Sequence, residues 1–501
     1  MQLPSIEEFW SRLAALLTYD AQSPMIFSSG LFLFLFAAFL LIYNGLRKAP
    51  TARILYVVAF SLYFYYKSSG IYFVLLLFAS VSDFILAQLL YRSSHSALRK
   101  LWLLLSVGIN LGMLGYFKYT NFFIEISNSL FGAGFLQFQD IFLPVGISFF
   151  VFQSMSYTID IYRRELKPLD RWIDYCFYLS FFPQLVAGPI VRARDFIPQI
   201  RQNPVTVTRE MFGTALCLIL TGLFKKAIIS DYISLNFVDR VFDEPLLYSG
   251  FECLMAIYGY ALQIYCDFSG YSDMAIGIAL LMGFRFPKNF DAPYRSATIT
   301  EFWRRWHISL SSWLRDYLYI SLGGNRKGKL RTYVNLMLTM LLGGLWHGAA
   351  MRFVLWGGLH GVALAIHKWW LSIVPGAKAL GEDMPLWRRL PATLLTFHLV
   401  CLGWLFFRAE SMQSVELILH QILFAFDPQL IRQVIEGYLP IFLLVGIGYL
   451  LHLMPPSLDN LFRRTISAAP LLLQVLLIAL VAWGVMQIKS SDIQPFIYFQ
   501  F

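Results

Sequence analysis

Two histidines stand where proton-transfer chemistry is feasible. His347 falls near the end of an apolar run, Gly343-Gly344-Leu345-Trp346-His347-Gly348-Ala349, with glycines on both sides. A neutral imidazole takes a proton from a hydroxyl efficiently inside a shielded cavity. Glycine lets a substrate or a neighbouring helix approach the backbone. His307 lies in a segment dense with ring and charged side chains, Glu301-Phe302-Trp303-Arg304-Arg305-Trp306-His307-Ile308-Ser309-Leu310. For each, the competing reading is a structural histidine hydrogen-bonded between helices. His360 and His367, one heptad apart, read as packing residues of the next helix, and His398 and His452 are weaker candidates.

Other reactive arrangements are missing. The chain has no G-x-S-x-G elbow, no Walker loop and no H-E-x-x-H pair. Cys176, Cys217, Cys253, Cys266 and Cys401 are scattered without metal-ligand spacing, so they read as small buried side chains, and no metal is expected. The loop Gly323-Gly324-Asn325-Arg326-Lys327-Gly328-Lys329 lacks phosphate-loop spacing. Its Arg326, Lys327 and Lys329 still carry charge that attracts a phosphate-bearing donor. The plainer reading is an ordinary cytoplasmic basic loop.

The elements that must position these residues are membrane helices. Of 501 residues, 58% are hydrophobic and 14% charged, against about 25% charged in an ordinary soluble domain. Long apolar runs rather than alternation predict an all-α polytopic membrane protein, with roughly ten to fourteen transmembrane and re-entrant helices in a single domain, 1–501. A net charge of +10 fits basic cytoplasmic loops better than nucleic-acid binding. Glu7 and Glu8 stand where a cleavable signal would be basic. Residues 1–22 predict an amphipathic helix at the membrane interface, with Ile6, Phe9, Leu13 and Leu16 on one face. Residues 54–66 look short for a full crossing.

Three stretches are too polar to face lipid. Residues 140–162 carry Gln153, Ser154, Ser156, Thr158 and Asp160. Pro183, Gly188 and Pro189 predict a broken helix beside packed protein or a cavity. Asp267 and Asp273 should line a cavity or an interface. In the central stretch, 301–361, helical spacing places Trp303, Trp306, Leu310 and Trp313 on one stripe flanked by Arg304, Arg305 and Arg315. Such a helix lies at the membrane interface or folds inward to line a reaction chamber. The aromatic tail Phe496–Phe501 reads equally as a partner-docking segment or a buried anchor.

Several motifs together resemble the membrane-bound O-acyltransferase (MBOAT) family, and its bacterial alginate O-acetylation branch in particular. They are Phe302-Trp303-Arg304-Arg305-Trp306-His307-Ile308-Ser309-Leu310-Ser311, Arg315-Asp316-Tyr317-Leu318-Tyr319-Ile320 and Gly343-Gly344-Leu345-Trp346-His347-Gly348. Pro183-Gln184 with Ala187-Gly188-Pro189-Ile190, Asp267-Phe268-Ser269-Gly270-Tyr271-Ser272-Asp273 and Phe406-Phe407-Arg408-Ala409-Glu410 support them. The resemblance implies a ring of tilted helices around a central funnel in the bacterial inner membrane. It implies His347 as the essential histidine and His307 as the second active-site position. The expected role of His347 is general base, and that of His307 is to position or polarise a thioester carbonyl. Asp316, Tyr319, Trp346 and Arg315 are expected as supporting residues. The implied donor is cytoplasmic acetyl-CoA, with no bound cofactor. The implied acceptor is an extracytoplasmic polysaccharide, reached with an exported acyltransferase partner. D-alanyl, peptidoglycan or cellulose acyl transfer stays open within the family. A polytopic transporter and a non-catalytic scaffold stay open outside it.

Overall fold

The computed structural model describes residues 6–488, apart from 22, 187, 203–204 and 375–383. Residues 1–5 and 22 of the N-terminal segment, Ala187 of the proline-rich motif and the tail Phe496–Phe501 lie outside the described residues. Among the described residues there are helices and loops and no strand. Among the described residues, four helical stretches are long and apolar enough to cross a membrane: Pro50–Arg92, Ser96–Phe131, Arg209–Asp243 and Leu386–Arg408. The pair Pro428–Gly437 and Leu439–Leu453, bent by 88°, supplies a fifth if taken as one span. The protein is an all-α, multi-pass membrane protein.

Contacts divide the chain into two compact units. The first runs up to Met211 and includes Ile278–Phe286. Its helices are α1 (Ile6–Leu17), α2 (Gly30–Gly45), α3 (Pro50–Ser69), α4 (Phe73–Arg92), α5 (Ser96–Leu114), α6 (Thr120–Phe131), α7 (Ile147–Tyr162) and α8 (Trp172–Ser180). The segment expected to be short, 54–66, is the middle of the 20-residue α3. Lys67 of α3 reaches the C-terminal carbonyls of α1, donating to Leu16 O at 3.0 Å, where a cation complements the helix dipole. The polar residues of 140–162 turn inward as expected: Gln153, Ser154, Ser156, Thr158 and Asp160 are all buried on α7. One of them, Ser154, meets a carboxylate that the sequence did not single out. Asp83 of α4 is fully buried and accepts from Ser106 (2.5 Å), Asn110 (2.7 Å) and Ser154. Three donors satisfy a carboxyl group whose burial would otherwise be costly in this setting. The proline-rich motif does break: a single turn, Phe182–Leu185, follows α8. It is packed protein rather than lipid-facing backbone, because a Cβ at Gly146 would meet Leu185 O at 2.5 Å.

The second unit comprises Phe212–Gly277 and the chain from Pro287 onward. It contains most of α9 (Arg209–Leu223) and α10 (Gly250–Leu281), then α11 (Ile299–Arg305), α12 (Ile308–Trp313), α13 (Lys329–His347), α14 (Met351–Ile373), α15 (Leu386–Arg408) and α16 (Leu439–Leu453). Backbones of α9 and α10 nearly touch, since a Cβ on Gly222 would meet Gly270 O at 2.5 Å and one on Gly270 would meet Gly222 O at 2.7 Å. A π-helical stretch, Phe224–Ser230, then presents two lysines to α10. Lys226 pairs with Asp267 (2.5 Å) and Asp231 (2.8 Å), and Lys225 with Asp273 (2.7 Å). Asp267 and Asp273 therefore line a helix interface, and each is neutralised there by a lysine.

Candidate active site

Every residue that shapes this site belongs to the second unit. Helix α11 starts at Thr298, whose side chain accepts the Glu301 N–H (3.1 Å), while Glu301 Oε2 accepts the Ala297 N–H (2.8 Å). Together these bonds satisfy the first-turn N–H of Glu301 and the N–H of Ala297 just ahead of the cap. Oε1 of Glu301 is tied to Arg305 at 2.9 Å and Arg389 at 3.4 Å.

The helix does not run on through the motif. His307 adopts the left-handed region, φ 42°, between α11 and α12, a conformation uncommon for a residue with a Cβ. The loop before α11 holds it there. Ile308 donates its N–H to Asn289 O (2.9 Å), and Asp291 donates its own to Arg305 O (2.9 Å). Oδ1 of Asn289 accepts from Ser309 N (3.2 Å) and Ser309 Oγ (2.9 Å), and lies 3.2 Å from His307 Nδ1. Nδ2 of Asn289 donates to Ser272 Oγ on α10 (3.1 Å). Burial alone would raise the Asp291 carboxyl, but Lys288, Arg305 and Arg295 outweigh it and hold it below the usual carboxylate range.

The single helical stripe expected over Trp303–Trp313 is therefore interrupted at His307. Its residues nevertheless turn inward: Trp306 and Leu310 are 1% exposed and Trp313 6%. That excludes a lipid-facing interfacial helix and favours the inward alternative.

His347 is the last residue of α13 and is 2% exposed. The glycines around it serve the neighbouring helix. A Cβ on Gly344 or Gly348 would collide with Phe353 of α14, and one on Gly357 of α14 would collide with Met340 of α13. The imidazole is walled by rings, with centroids 5.0 Å from Trp346, 4.9 Å from Trp356 and 5.4 Å from Phe407. Phe407 is placed by its neighbour Arg408, which binds Asp239 (2.8 Å) and Asp243 (3.2 Å). Trp346 is shared: its ring centroid is 6.0 Å from that of His307, which also meets Phe268 in a T-shaped contact at 4.5 Å. Two buried imidazoles, 40 residues apart in the chain, thus contact one indole.

Of the other predicted site residues, Trp346 is the indole between the two imidazoles, and Arg315, Asp316 and Tyr319 have polar partners of their own. Arg315 and Asp316 pair with each other at 2.6 Å. The Tyr319 hydroxyl donates to Asn325 Oδ1 (2.5 Å), which also accepts from Lys368 (2.7 Å). These contacts, with Asn335 Nδ2 bonded to Gly324 O (3.0 Å), fasten the basic loop. Arg326, Lys327 and Lys329 are exposed on it. His360 and His367 both lie on α14. His360 is fully buried against Trp356 (4.8 Å) and Trp303 (5.2 Å), and His367 Nδ1 meets Thr300 Oγ1 at 2.8 Å. The sequence reading did not single out Asn289 as a site residue. A lone loop asparagine 18 residues upstream of His307 offers no spacing to notice.

The signature of the MBOAT, membrane-bound O-acyltransferase family, matches residues 171–398, which include both histidines. The chain is 38% identical over 503 residues to the probable alginate O-acetylase AlgI of Pseudomonas putida, covering 95% of this chain and all of the relative. The chain belongs to the membrane-bound O-acyltransferase family. It is accordingly an O-acyltransferase. It is also 36% identical over 431 residues to the peptidoglycan O-acetyltransferase of Helicobacter pylori, covering 80% of each chain. A more distant relative is the teichoic acid D-alanyltransferase of Bacillus subtilis, 29% identical over 283 residues, or 53% of this chain and 69% of that one.

Proposed function

We propose that this O-acyltransferase takes acetyl groups from cytoplasmic acetyl-CoA and delivers them across the bacterial inner membrane for O-acetylation of an extracytoplasmic, alginate-like polysaccharide. The observation that carries the reading is the pair of buried imidazoles, His307 and His347, on one indole, Trp346. Acyl transfer from a thioester needs a base for the hydroxyl proton and a dry, fixed setting for the developing oxyanion. In the proposed step His347 takes the proton of the acceptor hydroxyl as its oxygen attacks the acetyl carbonyl. The C–S bond then breaks and CoA leaves as its thiolate. His307 holds the substrate at the second position. The exposed Arg326, Lys327 and Lys329 attract the phosphates of the donor.

Acetyl is preferred to D-alanyl because the relatives matched over 95% and 80% of the chain are named for O-acetylation. An exported acyltransferase is the proposed partner that completes transfer to the polymer. Proteoliposomes supplied with radiolabelled acetyl-CoA test the donor. Label leaving CoA only when folded protein is present supports the reading. Inert acetyl-CoA, with polymer and an exported acyltransferase both supplied, rejects it.

A further inference from the structure

Asn289 makes its oxygen available to three donors and its nitrogen to one acceptor, and that arrangement determines more than where His307 sits. The backbone N–H of Ser309 is a donor in every state of the protein, and it lies 3.2 Å from the Asn289 side-chain atom assigned as Oδ1. A flipped amide would place an NH₂ group against that N–H, so the oxygen assignment follows from the backbone itself. The same oxygen is 3.2 Å from His307 Nδ1. Ser309 Oγ, 3.4 Å from the same nitrogen, gives its one hydrogen to Asn289 Oδ1, and an amide oxygen only accepts, so both contacts are hydrogen bonds when Nδ1 carries the hydrogen. In a neutral imidazole the other nitrogen, Nε2, then holds the lone pair.

From this geometry we infer that Asn289 is a positioning residue: it locks His307 in the Nδ1–H tautomer, so that Nε2 meets the substrate as a hydrogen-bond acceptor. Resting on the acyl-transfer reading above, the inference revises one role expected from the sequence. A neutral His307 in this tautomer has no hydrogen to give a thioester carbonyl. The group it holds is a hydrogen-bond donor on the acceptor substrate. Ser272 completes the arrangement by accepting from Asn289 Nδ2 at 3.1 Å, which keeps the amide from rotating. The left-handed backbone at His307 is then the conformation that carries the imidazole to Asn289, with Ile308 N–H anchored on Asn289 O at 2.9 Å.

The tautomer is readable without any activity. Full-length protein labelled with [¹⁵N]histidine in lipid nanodiscs should give, for His307, a protonated Nδ1 and an unprotonated Nε2, the signals being assigned by their absence in His307→Asn. A protonated Nε2 in the wild type overturns the inference, whether or not the protein transfers acetyl groups. Kinetics then test its use. Asn289→Leu should raise KM for the hydroxyl acceptor about 10- to 100-fold, the order expected for one misdirected hydrogen bond to a buried group, with KM for the thioester unchanged. Asn289→Asp, which keeps the accepting oxygen, should recover most of that loss. A folded Asn289→Leu with unaltered acceptor KM, or with thioester KM raised instead, contradicts the assigned role. Wild-type protein that moves no acetyl group would reject the functional reading while leaving the tautomer to the nitrogen spectrum.

Discussion

His307 is held by hydrogen bonds, and His347 by rings. Around the first, a loop asparagine, two serines and a left-handed backbone define both the place and the orientation of the imidazole. Around the second, Trp346, Trp356 and Phe407 form three aromatic walls, and closely packed glycines bring α14 against the end of α13. Hydrogen bonds select a tautomer as well as a position. Aromatic contact fixes the position of a ring through shape and weak directional terms, about 0.5–1.5 kcal/mol per pair beyond burial. The two histidines therefore depend on different chemistry. The His307 turn should be sensitive to the loss of single polar atoms, the His347 corner to changes in volume.

The largest effect should come from volume. Trp356 is 1% exposed and touches both His347 and His360, so Trp356→Ala should cost about 3–5 kcal/mol through lost burial and the cavity left behind. A thermal melt in detergent should show a drop of several degrees, with transfer falling alongside; Trp356→Phe should recover most of both. An unchanged melt would show that the aromatic walls do not set this corner. A polar deletion in the other region is the next test. Ser309→Ala removes one of the two Ser309 donors on Asn289 Oδ1 and leaves the backbone N–H in place. Transfer should fall less than about tenfold, in keeping with one hydrogen bond of about 1 kcal/mol, and the melt should barely move. A large loss of stability with intact transfer would reverse the contrast drawn between the two regions.

The smallest effect lies outside both regions. Replacing the exposed Arg326, Lys327 and Lys329 together by glutamine should raise KM for acetyl-CoA a few-fold and leave kcat unchanged. The change should be greatest at low ionic strength, where screening is weakest. Equal KM values at low salt would remove the loop from donor capture.

Much of this candidate site was legible because its two histidines sit in motifs. Gly343-Gly344-Leu345-Trp346-His347-Gly348 marks His347 before any geometry is known, and the aromatic and arginine density of 302–311 marks His307. The inward face of α7 was legible too, because five polar side chains in an apolar helix need protein around them. The break at His307 was not. Neither glycine nor proline stands there, and the left-handed turn depends on Asn289 and Asp291, which pair with it from outside the helix. Nor could pattern supply the lysines opposite Asp267 and Asp273. They come from a π-helical stretch some 40 residues earlier, and no periodicity connects the two. Arg315, Asp316 and Tyr319 were expected at the site because a motif contains them; the structure shows Arg315 paired with Asp316 and Tyr319 bonded to Asn325.

The central claim is that His307 and His347, meeting at Trp346, act as one unit in acyl transfer. A double-mutant cycle tests it most directly: kcat/KM for acetyl transfer in proteoliposomes for wild type, His307→Ala, His347→Ala and the double variant, each monodisperse by size exclusion. The account predicts that His347→Ala alone loses about 10²–10⁴-fold and that adding His307→Ala costs little more, as residues of one catalytic unit behave. Losses that simply multiply, or a folded His347→Ala that transfers at the wild-type rate, would contradict it.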